Sequence, residues 1–423
     1  MEIKEIKLKK QINAEVNIPG SKSYANRALV IAALAKGTTV LDNLPSCDDT
    51  KYMLEAIKTL GAKVENISQT KAKITPPQKL HFDGEIYVGG AGTTMRFLTT
   101  LCCLDGGKIT IKGNERMHER PIEDLVEGLE KNIDGTIIAL NKTEKGERCP
   151  PLVIDSKGLI GGNIELKGNT SSQYLTSIML CSPYSQKETK IVMTTDLTSK
   201  PFVDMTIDVM KSFGVEVKNN NYTSFEVPKT NYVGKEYFVE IDSSGASYFL
   251  AATAVCGGKI KINNTNLASA QGDIHFIELL GKMGCKIEKG KDYFILESDG
   301  KLKGIEIDMN SMIDTVQTLA VVAALAEGTT KITNVANLKV KETDRIAALK
   351  TELEKCGVTV EAGDDYIIVQ GGNPKGTIIS TYDDHRMAMS FAVLGAKVDG
   401  IMIENPTCVS KSFPEFWELF EKI

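Results

Sequence analysis

No apolar run in this 423-residue chain approaches the roughly 18 residues that a membrane-spanning helix requires, so insertion into a bilayer is not expected. The start, Met1-Glu2-Ile3-Lys4-Glu5-Ile6-Lys7-Leu8, lacks the apolar core of a secretory signal and alternates charged with apolar residues as an exposed strand does; a cytoplasmic protein is expected. The nine cysteines include no C-x-x-C pair and no companion histidine spacing for zinc. Cys102, Cys103, Cys181 and Cys256 stand in apolar stretches and read as reduced core thiols. Positive charge is not in excess: the net charge of −5 argues against nucleic acid as the main partner and leaves room only for a local basic pocket. There is no Walker loop, no full dinucleotide fingerprint and no Ser/His/Asp or Cys/His constellation. No cofactor and no metal site are expected.

What the chain does have is 42% hydrophobic and 25% charged residues, the balance of a globular enzyme with an ample core. Six times, at intervals of about 70 to 80 residues, a short polar cluster runs straight into a small-residue apolar pattern that reads as a buried helix. The clusters are Ser21-Lys22-Ser23, Gly92 to Arg96, Ser171-Ser172-Gln173, Ser243 to Ser247, Asp314 to Gln317, and Asp384-His385-Arg386. A helix start carries unpaired N–H groups and the positive end of the macrodipole, so six such starts rich in Ser, Thr, Lys and Arg are places that hold anions.

After each of these helices the pattern continues with a strand and a second helix ending in apolar-Gly-x-x-apolar, as at Leu60-Gly61, Phe213-Gly214, Met283-Gly284 and Cys356-Gly357, with a degraded copy at Ile133 to Ile137. The sixth copy is missing. The N-terminal strands, Ile3 to Leu8 and Ala14 to Ile18, are expected to complete it. That predicts two domains of three units each: residues 1–19 with 231–423, and an inserted domain over 20–230, with crossings near Pro19-Gly20 and Pro228 to Asn231 serving as a hinge.

Ser23 and Arg27 share a helix face beside Lys22, and a buried helix does not open with cations unless something anionic meets them. Gly92 to Arg96 turns a glycine-rich loop into a helix, which brings N–H groups close to a phosphate or carboxylate. Lys341-Glu342-Thr343-Asp344-Arg345 places two cations and an acid within one turn. Taken singly, each cluster also reads as a capped, solvated helix start or a surface ion pair. Together they gather Lys22, Arg27, Arg96, Arg120, Lys341, Arg345, Arg386 and Lys411 as cations around two isolated acids, Asp314 and Glu342. That combination suits a small polyanionic ligand and proton transfer by carboxylates.

In their order along the chain these motifs resemble one family, the 5-enolpyruvylshikimate-3-phosphate synthases, also called 3-phosphoshikimate 1-carboxyvinyltransferases. The residues carrying the resemblance are Pro19-Gly20-Ser21-Lys22-Ser23 with Asn26-Arg27, Ala91-Gly92-Thr93 with Arg96, Glu119-Arg120-Pro121-Ile122, Ser171-Ser172-Gln173, Ser199-Lys200-Pro201, Lys341 to Arg345, and Asp384 to Met389. The resemblance implies an α/β fold, a two-domain inside-out α/β barrel of six βαβαββ-like units, three per domain. It implies transfer of the enolpyruvyl group of phosphoenolpyruvate to the 5-hydroxyl of shikimate 3-phosphate, by a monomer. Carried over residue by residue, shikimate 3-phosphate meets Lys22, Ser23, Arg27, Ser171, Ser172, Gln173, Ser199, Asp314, Asn337 and Lys341. Phosphoenolpyruvate meets Lys22, Gly92, Arg120, Gln173, Arg345, Arg386 and Lys411. Asp314, Glu342 and Lys22 are the implied catalytic residues, with His385 in support.

Three positions depart from the family pattern. Gly90 stands where Asn is usual, Phe97 where many members have Pro, and Phe202 where Tyr is common; these bear on affinity more than on reaction type. The nearest rival, the UDP-N-acetylglucosamine enolpyruvyl transferases, typically carries a loop Cys before its Arg-Pro, and Gly113 to Pro121 contains none. A silent anion-binding module is a second rival, opposed by the presence of both Asp314 and Glu342.

Overall fold

The computed structural model describes residues 2–104 and 107–423. Its α/β architecture divides into two compact units, Met1–Pro19 with Glu240–Ile423, and Gly20–Val239. Within each, three helices without a polar stripe pack against one another. In the Gly20–Val239 unit they are Lys22–Leu34, Gly92–Leu101 and Ser172–Cys181; in the other they are Ser243–Cys256, Val316–Ala324 and His385–Lys397. Residues 24–33 of the first are all buried, and every residue of Ser243–Cys256 is buried, as expected of helices that are apolar all round. Small residues let them approach closely. The few hydroxyls inside satisfy one another or a backbone carbonyl: Thr100 Oγ1 with Ser177 Oγ at 2.5 Å, and Ser247, Thr318 and Ser390 in a row at 3.3 and 3.4 Å.

All six buried helices begin at the polar clusters, the fifth after a 3-10 turn, Asn310–Thr315. Among the described residues, six small sheets lie around them. In a complete unit the first two strands are parallel across the buried helix, and the last two form a hairpin paired to the second strand. Gly84–Tyr87 runs parallel to Gly107–Lys112 with Ile86 opposite Ile111, while Ile109 faces Ile154 of Arg148–Leu159.

The outer helices end as their glycines require. Gly61, Gly214, Gly284 and Gly357 have φ of 102°, 88°, 123° and 80°, and the next N–H closes each helix end: Ala62 to Ile57 O at 2.9 Å, Val215 to Met210 O at 2.9 Å, Cys285 to Leu280 O at 3.1 Å, Val358 to Leu353 O at 3.0 Å. These are Schellman closures. The Ile133 to Ile137 copy is not one. Helix Glu123–Glu130 ends before it, and Gly135 lies inside strand Ile133–Lys142, where a Cβ would come 2.1 Å from Asp155 O.

The N-terminal strands part company. Ile3–Glu5 does complete the sixth sheet, with Lys4 opposite Ile403. Ile12–Val16, expected beside it, instead lies parallel to Gly258–Asn263 in the fourth, Ala14 opposite Ile260. Reciprocally, Glu236–Phe238 pairs with Thr39–Asp42 in the first unit, Tyr237 opposite Leu41. Both strands therefore pair inside the compact unit that contains them, and Asn231 to Val239, expected in the other domain, remain with Gly20–Val239.

All nine cysteines are free and buried. Burial pushes the thiols up, Cys102 to about 12 and Cys47 to about 11, which keeps them inert. Among the described residues, no helix is long and apolar enough to cross a membrane.

Candidate functional site

In the Gly20–Val239 unit, Lys22 opens its helix with Nζ 2.9 Å from Asp49 Oδ2, their side chains only 11% and 3% exposed. Thr94 Oγ1 donates to Asp49 O at 3.2 Å, tying this pair to the next helix start. There Gly92 is required sterically: a Cβ would lie 2.7 Å from Arg120 Nη1 and 2.8 Å from Arg96 Nη1. Two guanidinium groups thus converge on bare backbone at the start of a helix, an arrangement built for an anion. Arg96 is fixed by Gly92 O and Pro121 O, both at 3.2 Å. Tyr174 donates to the same Pro121 carbonyl at 2.6 Å and so anchors the segment that follows Arg120.

The Ser171 hydroxyl caps its helix by accepting from Gln173 N at 3.3 Å, and Gln173 Nε2 donates to Thr93 Oγ1 at 3.3 Å. Gln173 therefore faces the Gly92 start, and Ser172 is buried. Ser199 is buried in the left-handed region at φ 53° and opens helix Lys200–Ser212. Arg27 is turned inward. It donates to Thr206 Oγ1 at 2.9 Å, Ser23 O at 2.7 Å and Phe202 O at 2.8 Å, using three of a guanidinium's five donors. Its ring neighbour is Phe97, 5.5 Å away. Burial brings its pKa down to about 10.

The three departures find places here. Phe97 continues helix Gly92–Leu101 without a break. Phe202 serves through its carbonyl, which accepts from Arg27. Gly90 stands in the turn before the helix.

In the other unit the predicted residues form one charge chain. Arg345 donates from Nε to Asp384 Oδ2 at 2.8 Å, from Nη2 to Glu342 Oε2 at 2.9 Å, and from Nη1 to Asp314 Oδ1 at 3.4 Å. Arg386 donates from Nη2 to Asp314 Oδ2 at 2.7 Å and from Nη1 to Tyr248 Oη at 3.2 Å. Lys411 Nζ lies 3.7 Å from Glu342 Oε1. Asp314 is thus bracketed by two arginines, and Glu342 by an arginine and a lysine. Burial opposes the charge of Arg345, yet Asp384, Glu342 and Asp314 more than offset it, so its pKa is raised. The same balance, led by Asp314, raises Arg386.

Helix Arg345–Lys355 begins at Arg345, capped by Asp344, which accepts from Ile346 N and Ala347 N. Lys341 and Glu342 therefore sit in the turn ahead of it. Asn337 is buried in the preceding 3-10 turn, Ala336–Val340. His385 is fully buried, with Nδ1 3.6 Å from Asp384 Oδ1.

Sequence reasoning missed several partners. Asp49 reads as an ordinary first-turn acid; nothing local pairs it with Lys22, 27 residues earlier. Asp384 was visible as part of a charged cluster but not as the carboxylate that grips Arg345. Glu352, 1% exposed, accepts from Lys355 Nζ at 2.7 Å, Ser380 N at 3.1 Å and Tyr382 Oη at 2.8 Å. It holds the segment entering Asp384, where Tyr382 and Asp383 both adopt φ 55°.

With this geometry in place, the comparisons with known proteins are specific. A family model described as EPSP synthase (3-phosphoshikimate 1-carboxyvinyltransferase) matches residues 6–420. A 3-phosphoshikimate 1-carboxyvinyltransferase of Aliivibrio fischeri is 43% identical over 424 residues, covering 98% of this chain and 97% of its own. One of Vibrio vulnificus is 44% identical, with 97% and 96% covered. A solved structure of EPSP synthase from Acinetobacter baumannii is similar with a TM-score of 0.80 at 26% identity, covering 99% of this chain and 97% of that one.

Proposed function

The chain belongs to the EPSP synthase family, and on that footing we propose that it transfers the enolpyruvyl group of phosphoenolpyruvate to the 5-hydroxyl of shikimate 3-phosphate, releasing phosphate, on the route to chorismate and the aromatic amino acids. The observation that carries the reading is the bracketing of two carboxylates by cations: Asp314 between Arg345 and Arg386, and Glu342 between Arg345 and Lys411. Neighbouring cations favour the ionised carboxylate, and an incoming anion that draws on those cations raises its basicity.

In the addition step the 5-oxygen bonds to C2 of phosphoenolpyruvate. Asp314, assisted by Lys22, accepts the hydroxyl proton, and Glu342 delivers a proton to the methylene carbon. In the elimination step Glu342 takes a proton back from the new methyl group, the C2–O bond to phosphate breaks, and the vinyl double bond returns. In this reading phosphoenolpyruvate is met by Lys22, Gly92, Arg120, Gln173, Arg345, Arg386 and Lys411. Shikimate 3-phosphate is met by Lys22, Ser23, Arg27, Ser171, Ser172, Gln173, Ser199, Asp314, Asn337 and Lys341, with His385 in support. Cations preset around the developing charge need no reorganisation during reaction. The protein acts as a monomer in the cytoplasm in this reading.

The test is phosphate release on mixing phosphoenolpyruvate with shikimate 3-phosphate, compared with UDP-N-acetylglucosamine as acceptor. Release with the shikimate ester alone supports the assignment; release only with the sugar nucleotide overturns it.

A further inference from the structure

The serine-rich start of helix Ser243–Cys256 has no role in the chemistry above, yet it is tied to a fully buried acid. The Ser244 hydroxyl donates to Asp273 Oδ2, while Asp273 Oδ1 is buried without a hydrogen-bond partner. Asp273 lies in the 3-10 turn Gly272–His275, which packs on the turn that carries Asp314 and on helix Ser243–Cys256. Gln271 locks that turn in place: Ser243 N donates to its Oε1 at 3.1 Å, and its Nε2 donates to Ile241 O at 2.9 Å.

A buried carboxyl with one unsatisfied oxygen is costly as an anion, so its charge is poised by its surroundings. From helix Ser243–Cys256 it meets Ser244, with Asp242 capping the same helix. From the Asn310–Thr315 turn it feels the charge of Asp314, and from helix His385–Lys397 that of Arg386. On its remaining side, helix Phe276–Lys282 turns Glu278 away to His275 and Lys289. Burial first, then the Asp314 charge, push the Asp273 pKa up to about 7, against the pull of Arg386 and Ser244.

Building on the proposed reaction, we infer that Asp273 is a positioning residue, whose charge governs how firmly Arg386 holds an anionic substrate while Asp314 handles the proton. As a neutral acid it leaves Arg386 with Asp314 as its main counter-ion. Once ionised it adds a second negative charge to the same guanidinium and competes with the ligand anion. Asp273 need touch neither substrate for this to operate.

The experiment is the pH dependence of kcat and of KM for phosphoenolpyruvate, in the full chain and in Asp273→Asn and Ser244→Ala. In the wild type, KM rises about fivefold through an inflection near neutral pH, the size expected of one added charge in a partly screened site, while kcat changes less. In Asp273→Asn the side chain is permanently neutral, and that inflection disappears. In Ser244→Ala the carboxylate loses its donor, and the inflection moves to higher pH. An active Asp273→Asn enzyme with the wild-type KM profile overturns the inference. If Asp273→Asn does not fold, an unmoved inflection in Ser244→Ala overturns it equally. Failure of the functional reading is distinct, because the wild type then gives no turnover with these substrates at any pH.

Discussion

Arg386 Nη2 lies 2.7 Å from Asp314 Oδ2, which makes a proposed substrate cation and the proposed base partners in one ion pair. An anion that recruits Arg386 loosens that pair and leaves Asp314 more basic, so ligand binding and proton acceptance are linked by electrostatics before any motion is invoked.

Asp314→Asn removes both the base and the competitor for Arg386. Turnover should fall about 10²- to 10⁴-fold, the range for loss of general-base catalysis, while phosphoenolpyruvate binds more tightly than to wild type. Phosphate-release assays and calorimetric titration check the two halves; near-normal turnover removes Asp314 from the role.

Glu342→Gln should abolish most turnover and leave shikimate 3-phosphate binding close to normal, since the neutral amide keeps the volume between Arg345 and Lys411 but cannot shuttle a proton. Binding is read by calorimetry and turnover by phosphate release. Turnover within a few-fold of wild type would remove the acid/base assignment.

Asp49→Ala strips the carboxylate from the buried Lys22 pair. Breaking such a pair from one side costs about 3 kcal/mol, and it also frees Lys22 from its placement. Urea unfolding should show the loss, accompanied by a higher KM for both substrates; an unchanged midpoint would show the pair to be dispensable.

Glu352→Ala should lower Tm and turnover together. The carboxylate's three donors include Ser380 N and Tyr382 Oη, and losing them costs about 3 kcal/mol in hydrogen bonds to a charged group. Without them the left-handed pair Tyr382 and Asp383 relaxes, and Asp384 drifts from Arg345. A drop in Tm with full turnover would separate the two effects and refute the link.

The Asp273 carboxyl also sets a stability trend. Its pKa is raised in the folded state to about 7 from 3.8, so between these values the native protein binds a proton that the unfolded chain does not. Stability from this group is present at low pH and is lost as pH rises toward 7. Asp273→Asn should therefore gain Tm relative to wild type at pH 8 compared with pH 5, as differential scanning calorimetry would read. An identical difference at both pH values contradicts it.

Much of this molecule was legible locally. The switch from a polar cluster to an apolar run located all six buried helix starts, because a helix's first turn must satisfy its own N–H groups whatever surrounds it. Gly61, Gly214, Gly284 and Gly357 marked helix ends because only a left-handed residue closes them in that way. Gly135 misled, since a glycine admitted by a close strand contact carries the same letter as one in a turn. The proposed site was half legible. Arg345 with Glu342 is an i, i+3 pair and can be read from spacing, whereas Arg345 with Asp384 spans 39 residues and Ser244 with Asp273 spans 29.

By itself, then, the sequence determined the repeat, the character of each helix and strand, and the accumulation of cations at helix starts, all of which depend on near neighbours and on burial. Only the tertiary structure decided which strand Ile12–Val16 would join, which acid would answer each cation, and that Arg27 would turn inward to Thr206. Alternating burial specifies a strand's faces but not its neighbour across the sheet. A buried charge specifies the need for a partner, and the packing of distant segments supplies its identity.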